Sequence, residues 1–326
     1  MEAINHDERV ASLTGGLAPV GGSLQSFLES GRLRADGRPK PDFRRDLRQI
    51  SNLGNTWSAT WVLLAPPAIV WFTILAAHWA ATALAFIAMG AMFPRFYILN
   101  HEAAHRLLFS NRRMNDLIGE KILGLVAFGD GGSTYRTSHS QHHRDEFGPR
   151  EPDFALYARY PVPTASWRRK VSRDMFGVSG WKNLKPIFQG LFRVGYRRRA
   201  LKAIGTQAVI LAGFWLAGHP WLYVLVWFLP WMTYWRVVNR LRALAEHAGM
   251  TRSPDRRYTT HHIRQHWLPA LFFVPFNTGY HLAHHVDSGV PWRNLPKLHQ
   301  AFEEDGYLND VTVHRSYRAF WQTLSR

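Results

Sequence analysis

The chain has 326 residues, with Lys+Arg 40 against Asp+Glu 23, a formal net charge of +17, 17 histidines and no cysteine. Without cysteine there is no disulfide framework, no thiolate zinc site, no Cys-ligated iron–sulfur cluster and no cysteine nucleophile, so any metal rests on nitrogen or oxygen ligands. With 46% hydrophobic and 14% aromatic residues, disorder is excluded as well, because the apolar side chains suffice to build a core.

Residues 1–50 hold Gly15-Gly16 and Gly21-Gly22 but no apolar run. They match neither a cleaved signal peptide nor a packed domain and are expected as a mobile cytoplasmic arm, with residues 51–326 forming one membrane domain. From Trp57 to Pro94 there is no Lys, Arg, Asp or Glu, and a second uncharged stretch runs from Ala203 to Trp235. About 20 apolar helical residues span a bilayer core. The first stretch is long enough for two spans and breaks near His78 and Trp79; the second breaks at Gly218-His219-Pro220. The expected spans are therefore about 57–77, 79–99, 203–218 and 221–238. Two shorter apolar runs, Leu117–Phe128 and Leu268–Tyr280, are too short to cross and are expected at the interface or against the core.

Lys and Arg number 8 in residues 1–56, 18 in residues 101–200 and 12 in residues 236–326, so all three polar segments are basic. Basic segments stay on the cytoplasmic side, which requires each apolar stretch to cross an even number of times. The expected fold is an all-α integral membrane protein, with four transmembrane helices in two hairpins and a helical cytoplasmic cap. Nucleic acid is not the expected partner of this positive charge. Arg168-Arg169-Lys170 and Arg197-Arg198-Arg199 fall where anionic headgroups of the bilayer would lie.

The histidines are clustered at helical spacing. His101 and His105 form an i, i+4 pair directly after the first apolar stretch; His139, His142 and His143 form an HxxHH cluster, and His281, His284 and His285 repeat it. Eight imidazoles exceed what one ion uses, which makes a two-metal centre the economical reading, with His247 as a ninth candidate. The cap is expected to carry this centre, on the cytoplasmic side of a multi-pass membrane protein. All-imidazole sites suit zinc, copper, iron or nickel. A membrane zinc protease would use His101-Glu102-Ala103-Ala104-His105 as HExxH, but leaves both HxxHH clusters without a role. Two irons would use every cluster and would activate dioxygen against an unactivated C–H bond. A metal-binding scaffold without catalysis is the non-enzymatic alternative.

From Phe96 to His299 the sequence resembles the membrane fatty acid desaturase and hydroxylase superfamily, whose members carry three histidine boxes. Its most specific part is Pro275-Phe276-Asn277-Thr278-Gly279-Tyr280-His281-Leu282-Ala283-His284-His285, followed by Val290-Pro291-Trp292 and Leu295-Pro296-Lys297-Leu298-His299. The segment from His139 to Pro152-Asp153 resembles the second box, and Arg242 to His247 the stretch in which some members carry an extra ligand. The resemblance implies a non-haem di-iron site that uses dioxygen as co-substrate and two electrons. Its ligands would be His101, His105, His139, His142, His143, His281, His284 and His285, with His247 as the ninth and Asn277 acting through a water. Glu102, Asp145, Asp153 and Glu246 would accept hydrogen bonds from the ligating imidazoles. His261, His262 and His266 fall in no box and are expected at the interface. The sequence departs from many acyl-lipid members at Ala283, where they carry a larger polar residue, and its box spacing is not that of alkane hydroxylases. Desaturation of a lipid acyl chain is the expected reaction, with hydroxylation or ketolation of a lipid or terpenoid as the alternative. Electrons are expected from an external donor, a ferredoxin or cytochrome with its reductase.

Overall fold

The structure is a computed structural model that describes residue 8 and residues 12–131 and 134–326. The part of the expected arm on residues 1–7 and 9–11 lies outside the described residues. In chain order, the elements that position the site are helices α1 (Pro41–Leu47), α2 (Asn52–Ala76), α3 (Trp79–Ala104), α4 (Thr134–Arg144), α5 (Arg197–Leu216) and α6 (Tyr234–His247). Strand β1 (His262–Ile263), helices α7 (His281–Val286) and α8 (Leu295–Glu304), and strand β2 (Val313–His314) follow. The molecule is mostly helical, and β1 and β2 form a parallel two-stranded ladder of two residues each. Contacts divide it into two compact units, one of residues 51–135 and 168–239, the other of residues up to 50, 136–167 and 240–326.

The first of these units contains the two helices long and apolar enough to cross a membrane, which end at Ala76 and run over Trp79–Ala104. At 1.5 Å per residue, the 25 residues of α2 and 26 of α3 reach roughly 38 Å each, more than a bilayer core. Trp57, Leu64, Trp71, Phe72 and Leu75 on α2 are exposed, an apolar surface suited to acyl chains rather than water. Ala77 turns the chain with φ +46°, and the His78 side chain then caps α3 by accepting from the Ala80 N–H at 3.1 Å. Gly90 is needed for close approach, since a Cβ there would stand 2.5 Å from the Tyr234 ring.

The second apolar stretch is less regular than the sequence suggests. Helix α5 ends at Leu216, Gly218 takes φ +78°, and Tyr223–Phe228 winds as a π-helix before Pro230. Proline lacks an N–H, and a wider helical turn accommodates the interrupted ladder. Gln207 is polar inside this apolar packing but fully engaged. Its Oε1 accepts from Trp227 Nε1 at 3.0 Å and its Nε2 donates to the Leu125 and Val126 carbonyls at 3.3 Å.

In the other unit, α7 buries all six of its residues. Leu282, Ala283 and Val286 pack with Leu295, Leu298 and Phe302, and with Leu33 and Leu47 from the N-terminal region. The arm expected over residues 1–50 is therefore packed core at those positions. Leu24, Leu33 and Leu47 are too widely spaced to form an apolar run, which is why the sequence hides this role. Arg44 clamps α1 to the end of α7, with Nε 2.5 Å and Nη2 3.0 Å from the Asp287 carboxylate. Arg44→Ala leaves the buried Asp287 carboxylate without its partner and is expected to cost about 1–3 kcal/mol, read as a lowered thermal midpoint in detergent.

Candidate metal centre

Helix geometry sorts the histidines. On a helix, residues i and i+4 lie about 40° apart around the axis, while i+3 falls on the other side of i. On α4, His139 and His143 are therefore one pair and His142 diverges. On α7, His281 and His285 are the pair and His284 diverges. The structure follows this division and crosses it. His143 Nε2 lies 3.1 Å from His139 Nε2 and 3.1 Å from His284 Nε2. The divergent His142 instead joins the other pair, its ring centroid 5.1 Å from that of His285 and 5.0 Å from that of His247. His247 Nε2 in turn lies 3.1 Å from His281 Nε2. Each box thus contributes to two groups, and His247, at the C-terminal end of α6, completes the second.

Several imidazole nitrogens converging within about 3 Å of one another cannot all be satisfied by hydrogen bonds among themselves. Atoms coordinated about 2.1 Å from one ion stand about 3.0–3.4 Å apart, so the spacing is that of ligand edges. His285 Nε2 is buried with no hydrogen-bond partner, while its Nδ1 faces Glu146 Oε1 at 3.4 Å. Burial holds the pKa values of His281 and His285 well below the ordinary histidine value. Both are neutral near pH 7, the form that offers a lone pair to a metal. These residues fit a transition-metal site.

The outer contacts fix which nitrogen faces inward. His247 Nδ1 lies 2.9 Å from the Thr259 carbonyl and 2.9 Å from Glu146 Oε1, which turns Nε2 toward His281. Burial alone would lower the His247 pKa, but Glu146 reverses this and holds it above the ordinary value. Glu146 is itself buried; burial opposes its charge, but His247 and Arg256 outweigh that and hold its pKa low. His142 Nδ1 donates to the Glu151 carboxylate at 3.0 Å.

Of the acidic residues expected in this role, Glu246 lies 3.6 Å from His281 Nδ1 and pairs with Arg242 at 2.5 Å. Asp153 groups with His142 and Glu151. Asp145 serves the loop instead, accepting from the Arg150 N–H at 2.7 Å. Asn277 is not in either histidine group; its φ is +57° and its amide donates to the Trp292 carbonyl at 3.2 Å.

Glu146 and Glu151, the principal carboxylate partners, were not singled out from the sequence. Glu146 follows His142 by four residues, a spacing that was available to read; Glu151 reaches back across a turn, and the Thr259 carbonyl carries no side-chain signal. Glu151→Gln replaces the acceptor of His142 Nδ1–H and is expected to lower metal affinity about 10–100-fold, measured by iron retained against a chelator.

In the unit of the long apolar helices, His101 and His105 close α3, half-buried, with ring centroids 4.8 Å apart. Asn115, fully buried, holds the chain that follows: its side chain accepts from the Leu108 and Phe109 N–H groups and donates to the Ala103 carbonyl. Glu102, between the two histidines, is buried in the same packing. His261 and His262 are also buried, not interfacial, and His261 Nε2 donates to the Ala248 carbonyl at 2.7 Å. His266 is exposed and caps the turn at Leu268.

The sequence model described as fatty acid desaturase matches residues 77–317. The chain belongs to the fatty acid desaturase family. It is similar to the dihydrorhizobitoxine desaturase of Bradyrhizobium elkanii, 24% identical over 299 residues that cover 85% of each chain. The sn-1 oleoyl-lipid 12-desaturase of Arthrospira platensis is 21% identical over 261 residues, 73% of each chain. A beta-carotene ketolase of Paracoccus sp. (strain N81106 / MBIC 01143) is 26% identical over 257 residues, 73% of this chain and 87% of the ketolase. The family match favours an oxidoreductase over the zinc-protease reading of residues 101–105.

Proposed function

We propose that the protein is an oxygen-dependent di-iron oxidoreductase of the membrane that introduces a double bond into a lipid acyl chain. The observation that carries this reading is the division of both HxxHH boxes between two imidazole groups, each with nitrogens 3.1 Å apart. His139, His143 and His284 would hold one iron, joined by His101 and His105 as the family resemblance implies; His142, His247, His281 and His285 would hold the other. Two irons bound there supply the dioxygen chemistry needed to break an unactivated C–H bond. Glu146, Glu151 and the Thr259 carbonyl keep the ligating rings in the right tautomer and orientation.

The substrate's place is argued from the apolar unit. A cleft of about 390 Å³ runs between Pro66, Trp71, Phe96, Phe214 and Trp227. Phe96 precedes His101 by five residues on α3, so the helix that lines the cleft also presents the first box. Each methylene taken from water there contributes roughly 0.8 kcal/mol, which would hold an extended chain in register. Four spans, with α5 and the segment 220–238 as the second hairpin, place all basic segments on the cytoplasmic side. That basic face would dock an acidic external electron donor, and reduction rates should then fall as ionic strength rises.

Ketolation is the second reading, favoured by the match to the Paracoccus ketolase over most of that protein's length. Lipid extracts from a producing host separate the two: loss of two hydrogens supports desaturation, gain of oxygen supports ketolation or hydroxylation. Metal analysis of the purified protein is expected to return near two irons per chain. One zinc per chain, retained when His139, His142 and His143 are all replaced by Ala, would sink the di-iron reading.

A further inference from the structure

Away from the boxes, three residues of the cap unit bring metal-ligand atoms together. His262 on β1, His299 on α8 and Glu303 one turn further along α8 have ligand atoms that all lie within 4.8 Å of one another. His299 Nε2 stands 3.6 Å from Glu303 Oε1. The His262 and His299 rings have centroids 4.7 Å apart and planes inclined by 25°. Both histidines are buried, at 7% and 8% exposure. Stacking alone would account for two buried neutral rings. It does not account for the Glu303 carboxylate standing 3.6 Å from His299 Nε2, with the ligand atoms of all three residues within 4.8 Å of one another.

We propose that His262, His299 and Glu303 form a further metal site, made of residues that no histidine box contributes, which takes one divalent ion of the zinc class. Two imidazoles and one carboxylate are a zinc donor set, and tetrahedral ligands about 2.0–2.1 Å from the ion stand about 3.3 Å apart, near the 3.6 Å found between His299 and Glu303. A water would take the fourth position. The ion would tie β1, fifteen residues after His247, to α8, fourteen residues after His285. It would therefore brace the two segments that present the second imidazole group. The site stands on its own geometry and does not depend on the desaturase reading.

The test uses the iron-replete full chain in detergent. Zinc is added in small excess, the free metal is removed by gel filtration, and zinc and iron are both counted by elemental mass spectrometry. The unsubstituted protein is expected to retain about one zinc beyond its iron and to gain several degrees in thermal midpoint. Glu303→Gln, at an exposed position that leaves the core intact, and His299→Gln are expected to keep the iron, weaken zinc binding at least tenfold and lose the thermal gain. Equal zinc retention in the unsubstituted protein and in Glu303→Gln would overturn the proposal, as would no retained zinc in the unsubstituted protein.

Discussion

Glu146→Ala is expected to lower turnover at least about 100-fold and, on the proposed di-iron reading, to deplete one of the two irons. The carboxylate touches His247 Nδ1 at 2.9 Å and His285 Nδ1 at 3.4 Å, and it pairs with Arg256. Removing it frees two ligating rings to rotate, and loss of one such partner at a metal site commonly costs 10–100-fold; this carboxylate serves two rings at once. It also leaves the Arg256 guanidinium without its carboxylate in a largely buried setting, so a loss of about 3 kcal/mol in stability is expected alongside. Glu146→Gln separates the two effects. It keeps the shape and an acceptor oxygen but removes the charge, so it should retain more of the fold than of the activity. Iron content, turnover and thermal midpoint measured together check this. Full turnover in Glu146→Gln would show that the charge has no part in holding His247.

His142→Ala and His143→Ala are neighbours in sequence but are expected to empty different halves of the centre. His143 Nε2 sits between His139 and His284, whereas the ring of His142 lies against those of His247 and His285. Each variant should retain near one iron per chain, and each should fall below about 1% of turnover, since activation of dioxygen by a pair of irons fails with either one absent. His142→Ala combined with His143→Ala should hold almost no iron. If both single variants lost both irons, the two groups would have to be bound as one cooperative unit.

The boxes themselves were legible because i, i+3 and i+4 spacing survives in the sequence wherever the backbone is helical, and both α4 and α7 are helical through their histidines. His247 was legible only as a lone residue; its place depends on α6 ending beside Thr259, a long-range fact. The assignment of His142 away from His143 follows from helix geometry once a second box is known to face it. Glu151 and the Thr259 carbonyl were hidden because turns bring them back to the site. The irregular helix at Tyr223–Phe228 looked like an ordinary span, since hydropathy reports apolar content and not hydrogen-bond pattern. Ala283, where the sequence departs from many acyl-lipid members, is fully buried against Leu33 and Leu47. A larger polar residue there would displace the N-terminal segment.

Leu33 and Leu47 seat on a helix that begins at His281, so this part of the core closes only after the more than two hundred residues between them have been made. The second box, on α4, must therefore emerge from the ribosome and wait, uncovered, until α7 and α8 have followed it. Contacts closed over more than two hundred residues form slowly, and exposed apolar surface in the interval invites misassembly. A chain halted before His281 would present His139, His142, His143 and His247 with nothing to close them.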